Sequence, residues 1–288
     1  MIQLSNKHAF EFVAASGALA FDGRGWPWEW PLRWIGILKP RDFTIVIKSL
    51  TLRPRRGNLR WYSPFRCVRL IKNGALNAVG LTNPGIEEWI EKIYPRISKS
   101  DLNVVASIAG ENLQDNLEMA IRLRDCTALK ALEINASCPN SAGELQSNAQ
   151  TVIDTCKAVR AQVPFPVWVK LTCTQDYVGI AKALEGVVEA ISINSVPWAI
   201  AYPGRPSPLA RFGGGGVSGK VAQDFTWKMV RELSAQTKIP VIGAGVWDFE
   251  DIEKLFSLGA KAIAFGSIFL RYPWRPSRFV KKWGKRVP

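Results

Sequence analysis

Short apolar runs rich in β-branched residues recur along the chain, and most are separated by segments with apolar residues at helical spacing. Such alternation is typical of βα units around a parallel sheet. We predict eight strands, over residues 11–15, 44–48, 103–107, 131–135, 167–171, 190–194, 240–243 and 261–265. Helices are predicted over residues 87–98, 113–126, 149–161, 178–185, 224–235 and 249–257.

Two segments depart from this alternation. Residues 26–31, Trp-Pro-Trp-Glu-Trp-Pro, are hostile to a regular helix because proline lacks the backbone donor. Residues 49–85 contain several prolines and glycines and are predicted to be an irregular insertion after the second strand. A chain of 288 residues has the size of one eight-stranded α/β barrel. We therefore predict a single (β/α)8, or TIM, barrel domain over residues 1–288.

The amino-acid composition limits the kinds of functional site that this chain can form. Hydrophobic residues make up 47% and charged residues 22%, which are globular proportions. The five cysteines form no CxxC pair, so we predict no metal site, no disulfide framework and a cytoplasmic protein. His8 is the single histidine, so a proton-transfer enzyme here must use Cys, Lys, Tyr, Asp or Glu. No run approaches the roughly 20 apolar residues of a spanning helix, so no transmembrane segment is predicted.

Polar residues or glycines directly follow the predicted strands, where the active site of such a barrel lies. This pattern indicates a ligand-binding site at the carboxyl end of the barrel. The strand ends read Ser16-Gly17, Lys48, Ser107, Asn135 through Cys138, Lys170, Asn194-Ser195, Gly243-Ala244-Gly245 and Gly266-Ser267.

Two of these strand ends carry a lysine, Lys48 and Lys170. A partly buried ammonium needs an electron-rich partner to offset its desolvation. An anionic reduced flavin or a substrate carboxylate would provide one. The alternative is that both side chains extend from the rim into solvent.

Glycine-rich turns are predicted after strands 6, 7 and 8, at residues 213–219, 243–245 and 266–267. Glycine lets backbone N–H groups approach a phosphate closely, and many barrels bind phosphate after strands 7 and 8. The alternative is ordinary turn formation. The chain has no GxGxxG after its first strand and no GxxxxGK[ST], which argues against a Rossmann or P-loop nucleotide site.

The fourth predicted strand leads into Glu133-Ile134-Asn135-Ala136-Ser137-Cys138-Pro139-Asn140, in which two amides flank a thiol. Amides supply donors and acceptors that suit a planar polar ring such as a pyrimidine. A thiol with a pKa near neutrality can remove a carbon-bound proton. Taken alone, a cysteine at a strand end is more often a small buried apolar residue than a base.

This octapeptide resembles the motif of the dihydroorotate dehydrogenases. Further motifs of that family follow the same order from about residue 11 to 270. Cysteine in place of serine at position 138 resembles the cytosolic class 1 enzymes. The other matching segments are Ala15-Ser16-Gly17, Lys48 with residues 77–85, Lys170-Leu171-Thr172, Ile193-Asn194-Ser195, Val217-Ser218-Gly219 and the last two glycine turns.

The resemblance implies FMN-dependent oxidation of dihydroorotate to orotate in pyrimidine biosynthesis, with Cys138 as base, hydride transfer to flavin N5, and Lys170 as a second catalytic residue. Ser107 and Val246 depart from the family's usual asparagine and glycine. The implied FMN contacts are Ser16, Gly17, Lys48, Asn135, Lys170, Ser218, Gly219, Gly243, Gly245, Gly266 and Ser267. The implied substrate contacts are Lys48, Asn77, Asn135, Asn140, Asn194 and Ser195.

The sequence leaves two other functions to consider. A dihydropyrimidine dehydrogenase-like flavoprotein acting on uracil keeps the fold and the flavin, but that type usually carries histidine where this chain has Asn140. A net charge of +14 is compatible with nucleic-acid binding. The basic residues are spread along the chain without a recognition motif, so we predict no nucleic-acid partner.

Two expectations concern partners. Residues 77–85 resemble the NAD-linked, two-subunit branch of the family, which implies an electron-transfer partner subunit, and we also predict a homo-oligomer. Four tryptophans crowd the first loop, where family members cover the flavin or meet partners; ordinary packing at the rim is the alternative. They are Trp26, Trp28, Trp30 and Trp34.

Overall fold

The computed structural model describes residues 1–60, 62–136 and 148–286. In chain order its strands are β1 (Ile2–Gln3), β2 (Ala9–Phe10), β3 (Phe12–Ala14), β4 (Thr44–Val46), β5 (Val68–Ile71), β6 (Gly74–Asn77), β7 (Asn103–Ile108), β8 (Ala131–Asn135), β9 (Val167–Leu171), β10 (Ile191–Ile193), β11 (Val196–Pro197), β12 (Gly216–Gly219), β13 (Val241–Gly243) and β14 (Ala262–Phe265). The helices are α1 (Trp30–Trp34), α2 (Ile86–Glu88), α3 (Tyr94–Ser98), α4 (Leu113–Leu123), α5 (Ala149–Arg160), α6 (Tyr177–Ala183), α7 (Trp198–Ala201), α8 (Gln223–Gln236), α9 (Glu250–Ser257), α10 (Ile268–Arg271) and α11 (Arg275–Trp283).

Eight strands form a closed parallel barrel in the order β3, β4, β7, β8, β9, β10, β13 and β14, and β14 pairs with β3 to close it. Each of the eight predicted strands corresponds to one barrel strand, so the predicted barrel is confirmed. The parallel arrangement brings the carboxyl ends of all eight strands to one end of the barrel.

The lower part of the barrel interior is apolar. Val46, Val105, Trp168 and Ile242 belong to one buried cluster there. The antiparallel β1–β2 pair contributes Phe10 to the same cluster, with its ring centroid 5.6 Å from that of Trp168. This end of the barrel is therefore filled by side chains, and ligand space is left at the carboxyl end.

Helices coat the outside of the barrel, and capping side chains fix the first turns of three of them, α4, α5 and α6. Asn112 accepts a hydrogen bond from the backbone N–H of Asp115 at 2.8 Å and so caps α4. Asn148 caps α5 and Asp176 caps α6 in the same way. Such caps satisfy backbone donors that have no partner within the helix. The predicted helix over residues 87–98 consists of α2, a π-helical turn over Trp89–Ile93, and α3.

The predicted irregular insertion over residues 49–85 is more regular than expected. It contains a hairpin, β5–β6, with the two-residue turn Lys72-Asn73, in which Asn73 adopts a φ of +58°. Asparagine tolerates this left-handed conformation better than most other side-chain-bearing residues. The hairpin joins β12 and β11 in a four-stranded antiparallel sheet. The prediction of a glycine turn over residues 213–219 was therefore partly wrong, because residues 216–219 form strand β12.

The proline-rich segment 26–31 also forms more helix than predicted. A 3-10 turn over Pro27–Glu29 leads directly into α1. Pro27 and Pro31 both stand in the first turn of their helices, where the missing N–H would have no intrahelical partner. No helix in the described part of the chain is long and apolar enough to cross a bilayer.

Candidate functional site

A cavity of about 680 Å³ opens at the carboxyl end of the barrel. Within the described part of the chain, seven of the eight barrel strands contribute residues to it, at or just beyond their carboxyl ends, and the four-stranded sheet forms one wall. This volume lies within the range of small-molecule and cofactor sites, which is roughly 300–1,000 Å³.

The cavity brings together most of the residues singled out in the sequence. These residues come from motifs spread along the chain, and the barrel places them around one space. They are Ser16, Gly17, Lys48, Asn77, Asn135, Lys170, Asn194, Ser195, Ser218, Gly219, Gly245, Gly266 and Ser267. Cys138 and Asn140 lie outside the residues that the structure describes.

Gly243 does not lie on the cavity wall. Neighbouring residues of a strand point to opposite faces, so Ala244 faces the cavity and Gly243 faces the helical layer. A Cβ atom at Gly243 would lie 3.1 Å from side-chain atoms of Leu255 and Ala260. The glycine therefore permits close packing of α9 against the barrel, and its placement gives no support to the predicted contact with FMN.

Glu133 lies below the cavity at an inward position of β8, and its side chain is 1% exposed. Its Oε2 accepts hydrogen bonds from Trp168 Nε1 at 3.0 Å and from Ser192 Oγ at 2.8 Å. Its Oε1 accepts from Ser107 Oγ at 3.0 Å and from Lys170 Nζ at 3.4 Å. Four donors from three neighbouring strands thus stabilise one buried carboxylate.

A line of hydroxyl groups connects this carboxylate with the first strands of the barrel. Ser107 Oγ lies 2.9 Å from Ser49 Oγ, which lies 3.2 Å from Ser16 Oγ. Asn135 Nδ2 donates to Ser49 Oγ at 3.0 Å. The departure at Ser107 therefore has a structural role, because this serine bridges Glu133 and Ser49. The network fixes the rotamers of Ser16 and Asn135, two of the predicted cofactor contacts.

Lys48 directly precedes Ser49 and therefore lies beside this network, at the carboxyl end of β4. Its backbone N–H donates to the carbonyl of Ala20 at 2.9 Å, which ties the end of β4 to the loop after β3. Gly17 adopts a φ of +79°, and a Cβ there would lie 3.5 Å from Lys48 Cγ. Trp26 Nε1 donates to the carbonyl of Gly17 at 3.0 Å. The tryptophan-rich first loop thus forms part of the site.

The turns after β13 and β14 present backbone donors to the cavity. Among the described residues, the N–H groups of Gly245, Val246, Gly266 and Ser267 have no hydrogen-bond acceptor. Gly245 adopts a φ of +94°, which side-chain-bearing residues rarely adopt. These four donors are suited to the oxygens of a phosphate group.

A buried carboxylate supports the turn after β13. Asp251 Oδ2 accepts from the backbone N–H groups of Trp247 and Asp248, both at 2.8 Å, and from Gln223 Nε2 at 2.9 Å. Gln223 Nε2 also donates to the carbonyl of Gly245 at 2.9 Å. These bonds fix the conformation of the turn, and they do not use the N–H groups of Gly245 and Val246.

The four described cysteines are poor candidates for a base. Burial raises the pKa of the Cys126 thiol to about 11 and raises the pKa of Cys156 further. Burial also raises the pKa of Cys67 and of Cys173. None of these four thiols lines the cavity. They stay protonated near neutral pH, which leaves Cys138 as the thiol to test.

The sequence reasoning did not identify Glu133, Ser49 or Trp168 as parts of the site. Glu133 had a recognisable signal, because it is an acidic residue in the middle of the apolar run Ala131-Leu132-Glu133-Ile134. An acidic side chain at such a position must be paired when it is buried. Ser49 and Trp168 carry no comparable signal, since their partners are distant along the chain.

Comparisons with known proteins agree with this geometry. The sequence model of the dihydroorotate dehydrogenase family matches residues 38–283. "Dihydroorotate dehydrogenase B (NAD(+)), catalytic subunit" of Bacillus cytotoxicus is 32% identical over 262 residues, covering 88% of this chain and 81% of the relative. "Dihydroorotate dehydrogenase A (fumarate)" of Lactobacillus delbrueckii subsp. bulgaricus is 34% identical over 232 residues, covering 77% and 74%.

A solved structure shares the fold. The crystal structure of ligand-free type DHODH from Eimeria tenella superposes with a TM-score of 0.69, covering 98% of this chain and 85% of that chain at 16% identity. At this identity the likeness concerns the fold alone, whereas the family model and the two sequence relatives concern the family. The predicted family is confirmed, and the chain belongs to the dihydroorotate dehydrogenase family.

Proposed function

We propose that the protein binds FMN in the cavity at the carboxyl end of the barrel and oxidises dihydroorotate to orotate, a reaction of pyrimidine biosynthesis. One observation carries the proposal: the predicted cofactor and substrate residues, from motifs between Ser16 and Ser267, line a single cavity. Bound FMN would supply the acceptor for the hydride that leaves C6 of the substrate.

The phosphate of FMN is assigned to the turns after β13 and β14. Four backbone N–H groups there lack an acceptor among the described residues, at Gly245, Val246, Gly266 and Ser267. Val246 replaces the usual second glycine of the family, but a backbone donor does not depend on the side chain. The departure at Val246 is therefore compatible with phosphate binding.

Lys170 is assigned the positive charge that faces the flavin. Its ammonium is held by Glu133, so the position of the charge is fixed before a cofactor binds. A preorganised cation stabilises negative charge that develops during a reaction without a reorganisation cost. Ser16, Gly17, Ser218 and Gly219 complete the assigned contacts.

The pyrimidine ring is assigned to Asn77, Asn135, Asn194 and Ser195, and the substrate carboxylate to Lys48. All five residues line the cavity. Uncharged amides and a hydroxyl recognise the ring's N–H and C=O groups, and the ammonium recognises the carboxylate. Asn140 is assigned to the same set on the family motif alone, since it lies outside the described residues.

Cys138 is proposed as the base that takes the proton from C5 of dihydroorotate. It lies outside the described residues, but the chain that leads to it is fixed: the carbonyl of Ala136 accepts from Gln175 Nε2 at 2.8 Å. Ala136 follows the last residue of β8, and Cys138 comes two residues later. The motif that carries Cys138 therefore begins on β8, whose last residue, Asn135, lines the cavity.

Anaerobic reduction tests the whole proposal. The purified protein is expected to show flavin absorbance, or to take up one FMN per chain, and dihydroorotate is expected to bleach that absorbance. Dihydrouracil serves as the comparison substrate for the dihydropyrimidine dehydrogenase-like alternative. Absence of FMN uptake contradicts the cofactor assignment, and faster bleaching by dihydrouracil contradicts the substrate assignment.

We further propose that a partner subunit re-oxidises the flavin. Sequence relatives include both an NAD-linked catalytic subunit and a fumarate-linked enzyme. Residues 77–85 resemble the NAD-linked branch, and the chain has no Rossmann fingerprint of its own. A net charge of +14 favours association with an acidic partner. Rapid turnover of the isolated chain with fumarate contradicts this proposal. The homo-oligomer and the cytoplasmic location stay predictions.

A further inference from the structure

An exposed apolar surface lies on the first loop, beside the cavity, and shares Trp28 with the cavity wall. Five of the thirteen exposed large apolar side chains in the described part of the chain lie between residues 28 and 37. We name them the tryptophan surface: Trp28, Trp30, Trp34, Ile35 and Ile37, with exposures of 48%, 41%, 70%, 68% and 40%. Such a concentration of exposed apolar side chains marks an interaction site.

The backbone beneath the tryptophan surface is well ordered. After α1 the chain turns back on itself, and the N–H groups of Ile37 and Leu38 both donate to the carbonyl of Leu32, at 2.9 and 3.0 Å. Leu38 is buried in the core. The apolar side chains are thus held outward by a fixed turn, and their exposure is not the result of an unstructured loop.

A strongly basic segment adjoins this surface. The backbone N–H of Lys39, two residues after Ile37, donates to Ser277 Oγ in α11 at 2.9 Å. Residues 271–286, which include α11, contain seven basic residues and no acidic residue. Arg275 and Arg286 of this segment pair with Asp248 and Glu253, at 3.7 and 3.5 Å. Arg278 and Lys281 are exposed, and no carboxylate among the described residues lies within ion-pair distance of either.

In the described part of the chain, none of the three acidic residues of the first loop forms an ion pair with α11. Asp22 Oδ1 accepts from the backbone N–H of Arg24 at 3.0 Å. Glu29 is 1% exposed, and its Oε2 accepts from the backbone N–H of Trp26 at 2.8 Å. Asp42 is half-buried. Asp101, from the neighbouring loop before β7, is paired with Arg41 at 2.7 Å. The surface therefore combines exposed tryptophan and isoleucine with an excess of positive charge.

We propose that the tryptophan surface and α11 together dock the protein on an anionic lipid bilayer. Tryptophan prefers the boundary between headgroups and acyl chains, isoleucine inserts beyond it, and lysine and arginine bind anionic headgroups. Charge complementarity favours this occupant over an apolar protein surface, and the exposed isoleucines, which an acidic protein surface would leave unmatched, favour it over an acidic protein. The docking is peripheral and is independent of the reaction proposed above. Trp26 and Trp28 also line the cavity, so the docked face adjoins its mouth.

Co-sedimentation of the purified full chain with vesicles tests the proposal. Vesicles of equal parts phosphatidylglycerol and phosphatidylcholine are compared with vesicles of phosphatidylcholine alone, at low and at high salt. We expect at least about tenfold tighter binding to the anionic vesicles, and weaker binding at high salt because the headgroup attraction is screened.

Two pairs of variants locate the surface. Trp34→Ser with Ile35→Ser should weaken binding by about tenfold or more, because two inserted side chains are lost. Arg278→Gln with Lys281→Gln should weaken binding about fivefold for each charge removed. Ile121→Ser, at 48% exposure on α4, and Lys157→Gln, exposed on α5, are the matched controls and should bind as the wild type does.

Four results would overturn the proposal. The first is no binding to anionic vesicles at low salt, and the second is equal binding to both vesicle types. The third is a loss of binding in the control variants as large as in the test variants. The fourth is unchanged vesicle binding by the variant with Trp34→Ser and Ile35→Ser, combined with a molar mass, measured by light scattering, below that of the wild type. That result would make the tryptophan surface an interface between copies of the chain. Melting temperatures verify that each variant is folded.

Discussion

The ammonium of Lys170 lies 3.4 Å from the carboxylate of Glu133, and the two side chains are 10% and 1% exposed. The pair sits at inward positions of adjacent strands, β8 and β9, directly below the cavity. Glu133 also accepts from Trp168, Ser107 and Ser192. Lys170 therefore presents a positive charge to the cavity. The carboxylate of Glu133, which lies below it, offsets the cost of desolvating that charge.

The first prediction concerns this pair. Glu133→Gln leaves the Lys170 ammonium without its counter-charge in a buried position, which should lower the free energy of unfolding by roughly 3–5 kcal/mol. Urea unfolding measures it. Adding Lys170→Met to Glu133→Gln removes the isolated charge and should restore part of the loss. If Glu133→Gln alone is as stable as the wild type, the ion pair contributes little to stability.

The second prediction concerns the proposed phosphate site. Gly245→Ala places a Cβ 3.0 Å from Thr226 Oγ1 on a residue with a φ of +94°, so the turn must shift. FMN affinity should fall by about tenfold or more, because a shift of the turn misplaces its N–H donors. Flavin fluorescence quenching measures the affinity.

Gly186→Ala is the matched control for that experiment. Gly186 also has a positive φ, +78°, with no atom within 4 Å of the added Cβ and no place in the cavity wall. Its backbone strain should be similar, and its FMN affinity should equal that of the wild type. Equal losses in both variants would indicate general destabilisation and no specific phosphate site.

The third prediction concerns the proposed base. Cys138→Ala should leave FMN binding intact and slow flavin reduction by dihydroorotate by roughly 10²–10⁴-fold, the usual loss for a general base. Anaerobic stopped-flow absorbance measures the rate. Cys138→Ser should keep a little activity at high pH, since a hydroxyl ionises far less readily. Cys156→Ala is the control: burial raises the pKa of that thiol, and the variant should reduce its flavin normally.

The fourth prediction concerns pH and Glu29. Burial raises the pKa of this carboxyl to about 7, and its Oε1 has no hydrogen-bond partner among the described residues. The folded state therefore binds a proton that the unfolded state, with a pKa of 4.5, has lost. Stability should fall by about 3 kcal/mol as pH rises from 4.5 through 7.

Thermal unfolding between pH 5 and 8 measures the effect of Glu29. Glu29→Gln keeps an acceptor for the backbone N–H of Trp26 and cannot ionise, so its melting temperature should vary less with pH than that of the wild type. Identical pH profiles for the two proteins would show that Glu29 does not titrate in this range.

The sequence predicted the barrel well because each barrel strand is a short apolar run followed by polar residues or glycines at its carboxyl end. Asn135 and Lys170, for example, end apolar runs and line the cavity. Gly243 was misplaced because its neighbour Ala244, and not Gly243, points inward, and motif matching does not resolve this alternation. The β5–β6 hairpin was missed because its strands have four residues each, and because β6 also pairs with β12, about 140 residues away.

The pairing of β3 with β14 sets the order in which this protein can fold. Phe12 lies opposite Ile263 and Ala14 opposite Phe265, so barrel closure joins segments about 250 residues apart. During synthesis β3 can pair with β14 only after nearly the whole chain has left the ribosome. The proposed flavin site contains Ser16 from one end and Ser267 from the other. A complete binding site therefore forms only at closure, and FMN should accelerate none of the earlier folding steps.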